Sequence, residues 1–264
     1  MSGWLHTLPL AWMAVAVFGA TYVVAFLLHQ LVAFLSARGA GRSFKALSPG
    51  MLSPLGVIFG LFVAFTAAQI WNDTDRARAA VNGEASALRS VVVLASSLPK
   101  EPEERLRALV HRYIDEVVSQ EWPLMAEGAA TLSIIPPTLN EALRTTLALA
   151  PASPGQEIAQ REIARSLENA LEARRQRILV SHAEVNATKW VCLILQAVCA
   201  LLAIAVVHGD NRLASAIALG TFATGVAASV LLILAHDRPF TGDIAVSPEP
   251  LLQVMPEVEV DGGA

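Results

Sequence analysis

A carboxylate set inside a heptad seam carries the strongest chemical demand in this 264-residue chain. Apolar residues recur at alternating four- and three-residue steps as Ala77, Val81, Leu88, Val91, Ala95 and Leu98, and Glu84 occupies the seam between Val81 and Leu88. A carboxylate in such a contact must find a partner or reach water, because an unpaired buried charge is strongly unfavourable. Glu84 lies 12 residues beyond Asn72. An antiparallel helix ending at Trp190 reaches the same height near residue 178, beside Arg174, Arg175 and Arg177. A structural Glu–Arg ion pair is the expected use. An ion or ligand site in a vestibule and a solvent-facing glutamate are the alternatives.

Thr66, Gln69 and Asn72 form a second polar set, at the end of an apolar run that contains Gly56, Phe59, Gly60 and Phe62. Hydroxyl and amide groups there can donate to an anion, while Leu55, Ile58, Phe59 and Phe62 can form a constriction that gates by dewetting. Small residues at Gly56, Gly60, Ala64 and Ala68, and again at Ala216, Gly220, Thr224 and Ala228, recur every fourth position. Such stripes let helix backbones approach closely, within or between subunits, and a pore lining is the alternative. A third set is His236-Asp237-Arg238-Pro239-Phe240-Thr241-Gly242-Asp243. It reads as a cap and turn with Arg238 and Phe240 at headgroup level, or as a lipid, ion or subunit contact.

Other chemistry is poorly represented. The chain has no G-x-S-x-G, phosphate-loop or H-E-x-x-H pattern, and none of its six histidines stands three or four residues from another. No catalytic residue, cofactor or metal site is expected, and the chain does not read as an enzyme. A net charge of −4 offers no basic face for nucleic acid. Cys192 and Cys199, seven residues apart on one helix, cannot reach disulfide distance and read as small packing residues.

The elements that must hold these groups are set by charge distribution. Residues 8–28, 46–72, 190–207 and 213–235 contain no Asp, Glu, Lys or Arg, whereas 72–189 holds 14 of the 19 basic and 16 of the 23 acidic residues. About 20 apolar residues cross a hydrocarbon core as a helix, and an ionised group at its centre costs about 2.5–3.5 kcal/mol. The expected fold is therefore all-α: a four-span transmembrane protein with a helical extramembrane bundle between spans two and three. Residues 1–71 form the first hairpin (spans about 8–28 and 51–71), 72–189 the bundle, 190–235 the second hairpin and 236–264 a polar tail. The N-terminus lacks a basic leader region and reads as a span rather than a cleavable signal. Trp4, Trp71 and Trp190 are expected at one membrane interface. Within the middle, a helix from about Pro102 is expected to stop at Trp122-Pro123. A short helix covers 139–149, and a rod from about Gln156 runs unbroken into the third span. Arg38, Arg42 and Lys45 in the short loop 36–50 place that loop in the cytoplasm and 72–189 outside.

Several stretches resemble the bestrophin-like family of bacterial and plant membrane proteins. They are Phe59-Gly60-Leu61 with Ala64-Phe65, Ile70-Trp71 with Ala77 to Ala80, Asn82-Gly83-Glu84-Ala85, and Tyr113 with Glu121-Trp122-Pro123. They close with Arg238-Pro239-Phe240-Thr241-Gly242 and Val246-Ser247-Pro248. Many members carry an acidic cluster before the second span, where this chain has Ser48-Pro49-Gly50-Met51. A more distant resemblance reaches bestrophins themselves, pentameric anion channels with four membrane segments, a cytosolic helical region and a Pro-Phe-Gly turn after the last span. Here Thr241 intervenes before Gly242, and the acidic run that binds calcium in animal bestrophins is missing, so no calcium gate is implied. The resemblance implies a homo-oligomer in the lipid bilayer of a plasma or bacterial inner membrane, passing chloride or another anion. It also implies a cytosolic bundle, against the charge of the short loop. A non-conducting scaffold or sensor whose bundle binds a partner protein is the alternative.

Overall fold

The computed structural model describes residues 8–40, 49–133 and 136–254. Its α-helices are α1 (Leu10–Leu35), α2 (Leu52–Ala95), α3 (Lys100–Glu116), α4 (Trp122–Ala126), α5 (Pro137–Leu147), α6 (Pro154–Ser181), α7 (Ala187–Val207), α8 (Arg212–His236) and α9 (Glu249–Leu252). No strand occurs among the described residues, and the fold is all-α. Two compact units divide the chain. One comprises Met1–Asn72, Glu184–Asp237 and Gly242–Ile244, and the other Asp73–Ala183, Arg238–Thr241 and Ala245–Ala264.

The first unit holds α1, the first part of α2, α7 and α8, and all four of these helices are long and apolar enough to cross a membrane. Helix α8 packs against both α1 and α7. One core cluster joins Met13, Phe59, Ile70, Trp190, Leu193 and Val226, and a second joins Ala25, Val32, Leu201, Leu219 and Ala223. The connector between α7 and α8 is tight at Gly209, where a Cβ would stand 3.2 Å from the Val206 carbonyl oxygen and 3.4 Å from Val32. Helix ends are satisfied by side chains. Asn211 accepts from the Leu213 and Ala214 amides, Asn186 accepts from Lys189, and Asp243 Oδ2 accepts from Leu10 N at 2.9 Å, where Pro9 has no side-chain acceptor to offer. Trp190 is buried, Trp71 is exposed, and Trp4 falls outside the described residues.

The second unit is built on Leu88, Leu106, Val110, Leu139, Ile163 and Leu167, with Phe240, Val246, Leu251 and Val254 of the tail packed into the same cluster. Two expected helix boundaries are corrected. The helix before Trp122-Pro123 does not stop there. It passes through a π-helical turn, Val117–Glu121, into α4, and ends where Gly128 adopts φ +70°. The π turn has already broken the i→i−4 ladder, so a proline without an N–H removes no bond at that point. Gly128 N then bonds Met125 O, and Ala129 N bonds Leu124 O, a closure that needs a left-handed residue. The expected unbroken rod from 156 to 207 is instead two helices, α6 and α7, separated at His182–Asn186. No glycine or proline marks the break. Asn186 caps α7, and Asp237 Oδ1 accepts from Val185 N at 2.6 Å, so the interrupted backbone keeps its partners.

Candidate functional site

Two groups of polar side chains stand out, one in each unit. In the second unit the seam of α2 delivers Glu84 to α6, where it is fully buried with Arg177. Arg177 Nε donates to Glu84 Oε2 at 2.7 Å and Nη2 to Oε1 at 3.1 Å, a two-point contact that matches the planar guanidinium to the carboxylate. Tyr113 of α3 donates its hydroxyl to the same Oε1 at 2.5 Å. The network continues outward. Arg177 Nη2 donates to Glu121 Oε2 at 2.6 Å, and Arg174 donates to Glu121 Oε1 through Nε (2.9 Å) and Nη2 (2.5 Å). The Trp122 ring lies 5.3 Å from the Arg177 guanidinium, and the Met125 sulfur accepts from Nη1 at 3.1 Å.

Burial works against the charge on Arg177, but Glu84 and its hydrogen bonds, with Tyr113 and Glu121, outweigh it and raise the guanidinium above its already high pKa. Burial, reinforced by the Glu84 charge, pushes the Tyr113 phenol well above its ordinary value. The Arg174–Glu121 end borders a cavity of about 220 Å³ also lined by Tyr113, Glu116, Gln120 and Thr131, whereas Glu84 is fully buried.

The three arginines have separate uses. Arg177 takes Glu84, Arg174 takes Glu121, and the exposed Arg175 stands 3.8 Å from Glu172 one turn away. Glu121 was legible only as part of the Glu-Trp-Pro stretch, and Tyr113 also as a buried position of its helix, but nothing in the spacing of either names a partner. The π turn at Val117–Glu121 ends at the glutamate that meets both arginines.

In the first unit the candidate residues of α2 divide between two faces. Phe59 is buried, tilted against Phe222 with ring centroids 5.8 Å apart, and Phe62 is half-buried in the same cluster. Thr66 is buried and donates its hydroxyl to Phe62 O at 2.8 Å, which uses its proton within the helix. Gly60, Gln69 and Asn72 are exposed, and Gly56 is intermediate. A Cβ at Gly56, Gly60 or Gly220 would meet nothing within 4 Å, so these small residues are not used for close packing inside the protomer. Lys189 of α7 donates from Nζ to Gln69 Oε1.

The post-span motif is also shared out. In the second unit Phe240 is buried edge-on against Trp122, with centroids 5.5 Å apart and planes at 86°. Thr241 donates to Ala126 O at 2.7 Å, and Val246 N bonds Pro239 O at 2.8 Å. Arg238 heads that turn, with Thr241 N on its carbonyl at 3.3 Å. In the first unit Gly242 takes φ +87°, a left-handed conformation, immediately before Asp243, which reaches Leu10.

The fold is shared with solved structures. A point mutant of a bacterial Bestrophin homolog from Klebsiella pneumoniae matches with a TM-score of 0.68 at 14% identity, covering 89% of this chain and 97% of that one. A second mutant of that homolog gives 0.66 at 15%, covering 91% and 98%. A mutant structure described only as a membrane protein gives 0.62 at 14%, covering 88% and 98%. No curated protein matches the chain. A family model described as a Bestrophin-like domain matches residues 9–251, nearly the whole sequence, and the chain belongs to the Bestrophin-like family.

Proposed function

We propose that the protein is a homo-oligomeric, multi-pass channel of the plasma or bacterial inner membrane, passing chloride or a similar anion along an axis lined by α2. The observation that carries this reading is the uncovered face of α2. Ile58, Leu61, Phe65, Gln69 and Asn72 follow one another at three- and four-residue steps, and all are exposed in the protomer. Residues at that spacing share one side of a helix. A face turned only to lipid needs no amides, and this one changes from apolar to amide along its length. Phe59 and Phe62 face the protomer's own helices, so the constriction is assigned to Ile58, Leu61 and Phe65, which can exclude water from a narrow passage. Membership of the family supports a channel of bestrophin type at a coarser level.

The test is reconstitution. Purified protein in liposomes should pass chloride down its gradient, and Leu61→Ala or Phe65→Ala should raise the flux. A monomer in detergent and in nanodiscs, with no flux of chloride, potassium or protons above empty liposomes, would overturn the reading in favour of a non-conducting scaffold. Arg38, with Arg42 and Lys45 outside the described residues, keeps 72–189 on the external side in this proposal. A reporter fused at residue 130 and active only in the cytoplasm would reverse that placement.

A further inference from the structure

Lys189 is held in a way that neither the fold nor its helix explains. It is the third residue of α7 after the Asn186 cap, in a first turn that contains no acidic side chain. The amide ends of a helix make that region positive, so a cation there is opposed by its own helix. Its ammonium donates to the neutral Gln69 side chain, and among the described residues no carboxylate stands within ion-pair distance of it. The contrast with Arg177, which two carboxylates neutralise, is complete. Among the described residues, no carboxylate offsets the positive charge on Lys189.

The contact also orients Gln69. An ammonium has three donors and no acceptor, so only the amide oxygen can face it. Which atom of a glutamine amide is oxygen is ordinarily an assignment; the chemistry of lysine decides it here. The two Nε2 hydrogens of Gln69 therefore point away from Lys189. Gln69 is exposed on the same face of α2 as Phe65 and Asn72.

We propose that the Lys189–Gln69 pair is the charge selector of the pathway: Lys189 supplies the positive potential and fixes Gln69 so that its N–H groups meet a small, partly dehydrated anion. This rests on the channel reading above and adds to it which residues choose the sign of the ion. Chloride gains two fixed donors and a cation, whereas potassium meets the same cation and no acceptor on that amide. In an oligomer the effect is multiplied by the number of subunits around the axis.

The experiment measures the reversal potential of the full chain in planar bilayers under a potassium chloride gradient. Lys189→Gln should lower the chloride-over-potassium permeability ratio about tenfold, and Lys189→Glu should lower it further, toward cation preference. Lys189→Arg should keep the wild-type ratio, and Gln69→Leu should lower it while leaving the charge in place. Size-exclusion of each variant keeps assembly in view, and Lys189→Gln serves if Lys189→Glu fails to assemble. Conducting Lys189→Gln channels with an unchanged reversal potential would overturn the assignment and reduce Lys189 to an interfacial anchor, with the channel reading intact. A wild-type protein that passes no ion would overturn both.

Discussion

The two units treat their polar groups in opposite ways. In the second, Glu84, Arg177, Tyr113, Glu121 and Arg174 close on one another through bonds of 2.5–3.1 Å. In the first, Gln69 and Asn72 lie on an exposed face, and Lys189 donates to the neutral Gln69 amide. A closed network of mutually bonded groups stabilises one arrangement of helices. Open donors on an uncovered face add nothing to the protomer's packing and remain free to act on something outside it. The resemblance of both regions to one family therefore does not require one role of them: the charges of the seam neutralise one another within the unit, whereas the amides of α2 face outward.

The comparison breaks most easily at Arg177. Arg177→Ala leaves Glu84 buried with a single phenolic donor and should cost about 3–5 kcal/mol in thermal unfolding, the range for stranding one member of a buried pair. A cycle of Glu84→Ala with Arg177→Ala should show strong coupling. The same cycle with Arg174 should show weaker coupling through Glu121, and with Arg175 none. Additive losses at Arg177 would make the network incidental.

The next effect separates the faces of α2. Phe59→Ala opens a cavity against Phe222 and should lower stability by about 3 kcal/mol without raising chloride flux. Phe65→Ala should raise flux with little loss of stability, since its side chain touches little in the protomer. The opposite pairing of outcomes would move the lining to the buried face.

Tyr113→Phe should cost about 1–3 kcal/mol, less than Arg177→Ala because Arg177 still holds Glu84 at two points. It should also change the alkaline limit. A phenol whose folded pKa is raised contributes stability that is whole below its unfolded value of about 10 and is lost as pH rises toward the folded value. Wild-type unfolding should therefore become easier above about pH 10, and the Phe variant should show a flatter profile by circular dichroism. The smallest effect is expected at Arg175→Ala. Its partner Glu172 is also exposed, and such pairs contribute about 0–1 kcal/mol.

Much of this arrangement was legible from residue order. The four spans could be read because the cost of an ion in hydrocarbon is local and additive, so an uncharged window of sufficient length identifies itself. The heptad seam placed Glu84 inward by helix geometry alone, whereas the height expected for the arginines of α6 assumed an unbroken helix to Trp190 and the backbone is interrupted at His182–Asn186. The end of α4 and the break between α6 and α7 were less visible. Proline marks a stop only where a ladder bond is lost, and beside the local Asn186 cap the Val185 amide is taken up by Asp237, far along the chain.

What the tertiary structure alone decided is azimuth and choice. Three arginines stand at nearly one height, and the angle at which α6 meets α2 selects Arg177 for Glu84 while the π turn ends with Glu121 within reach of it and Arg174. Sequence spacing grouped Thr66 with Gln69 and Asn72 as donors, but the packing of α2 against α7 and α8 turns Thr66 inward and leaves the amides outside. Periodicity determines which residues share a face; only the neighbouring helices determine which face is covered, because burial is a property of the partner as much as of the helix.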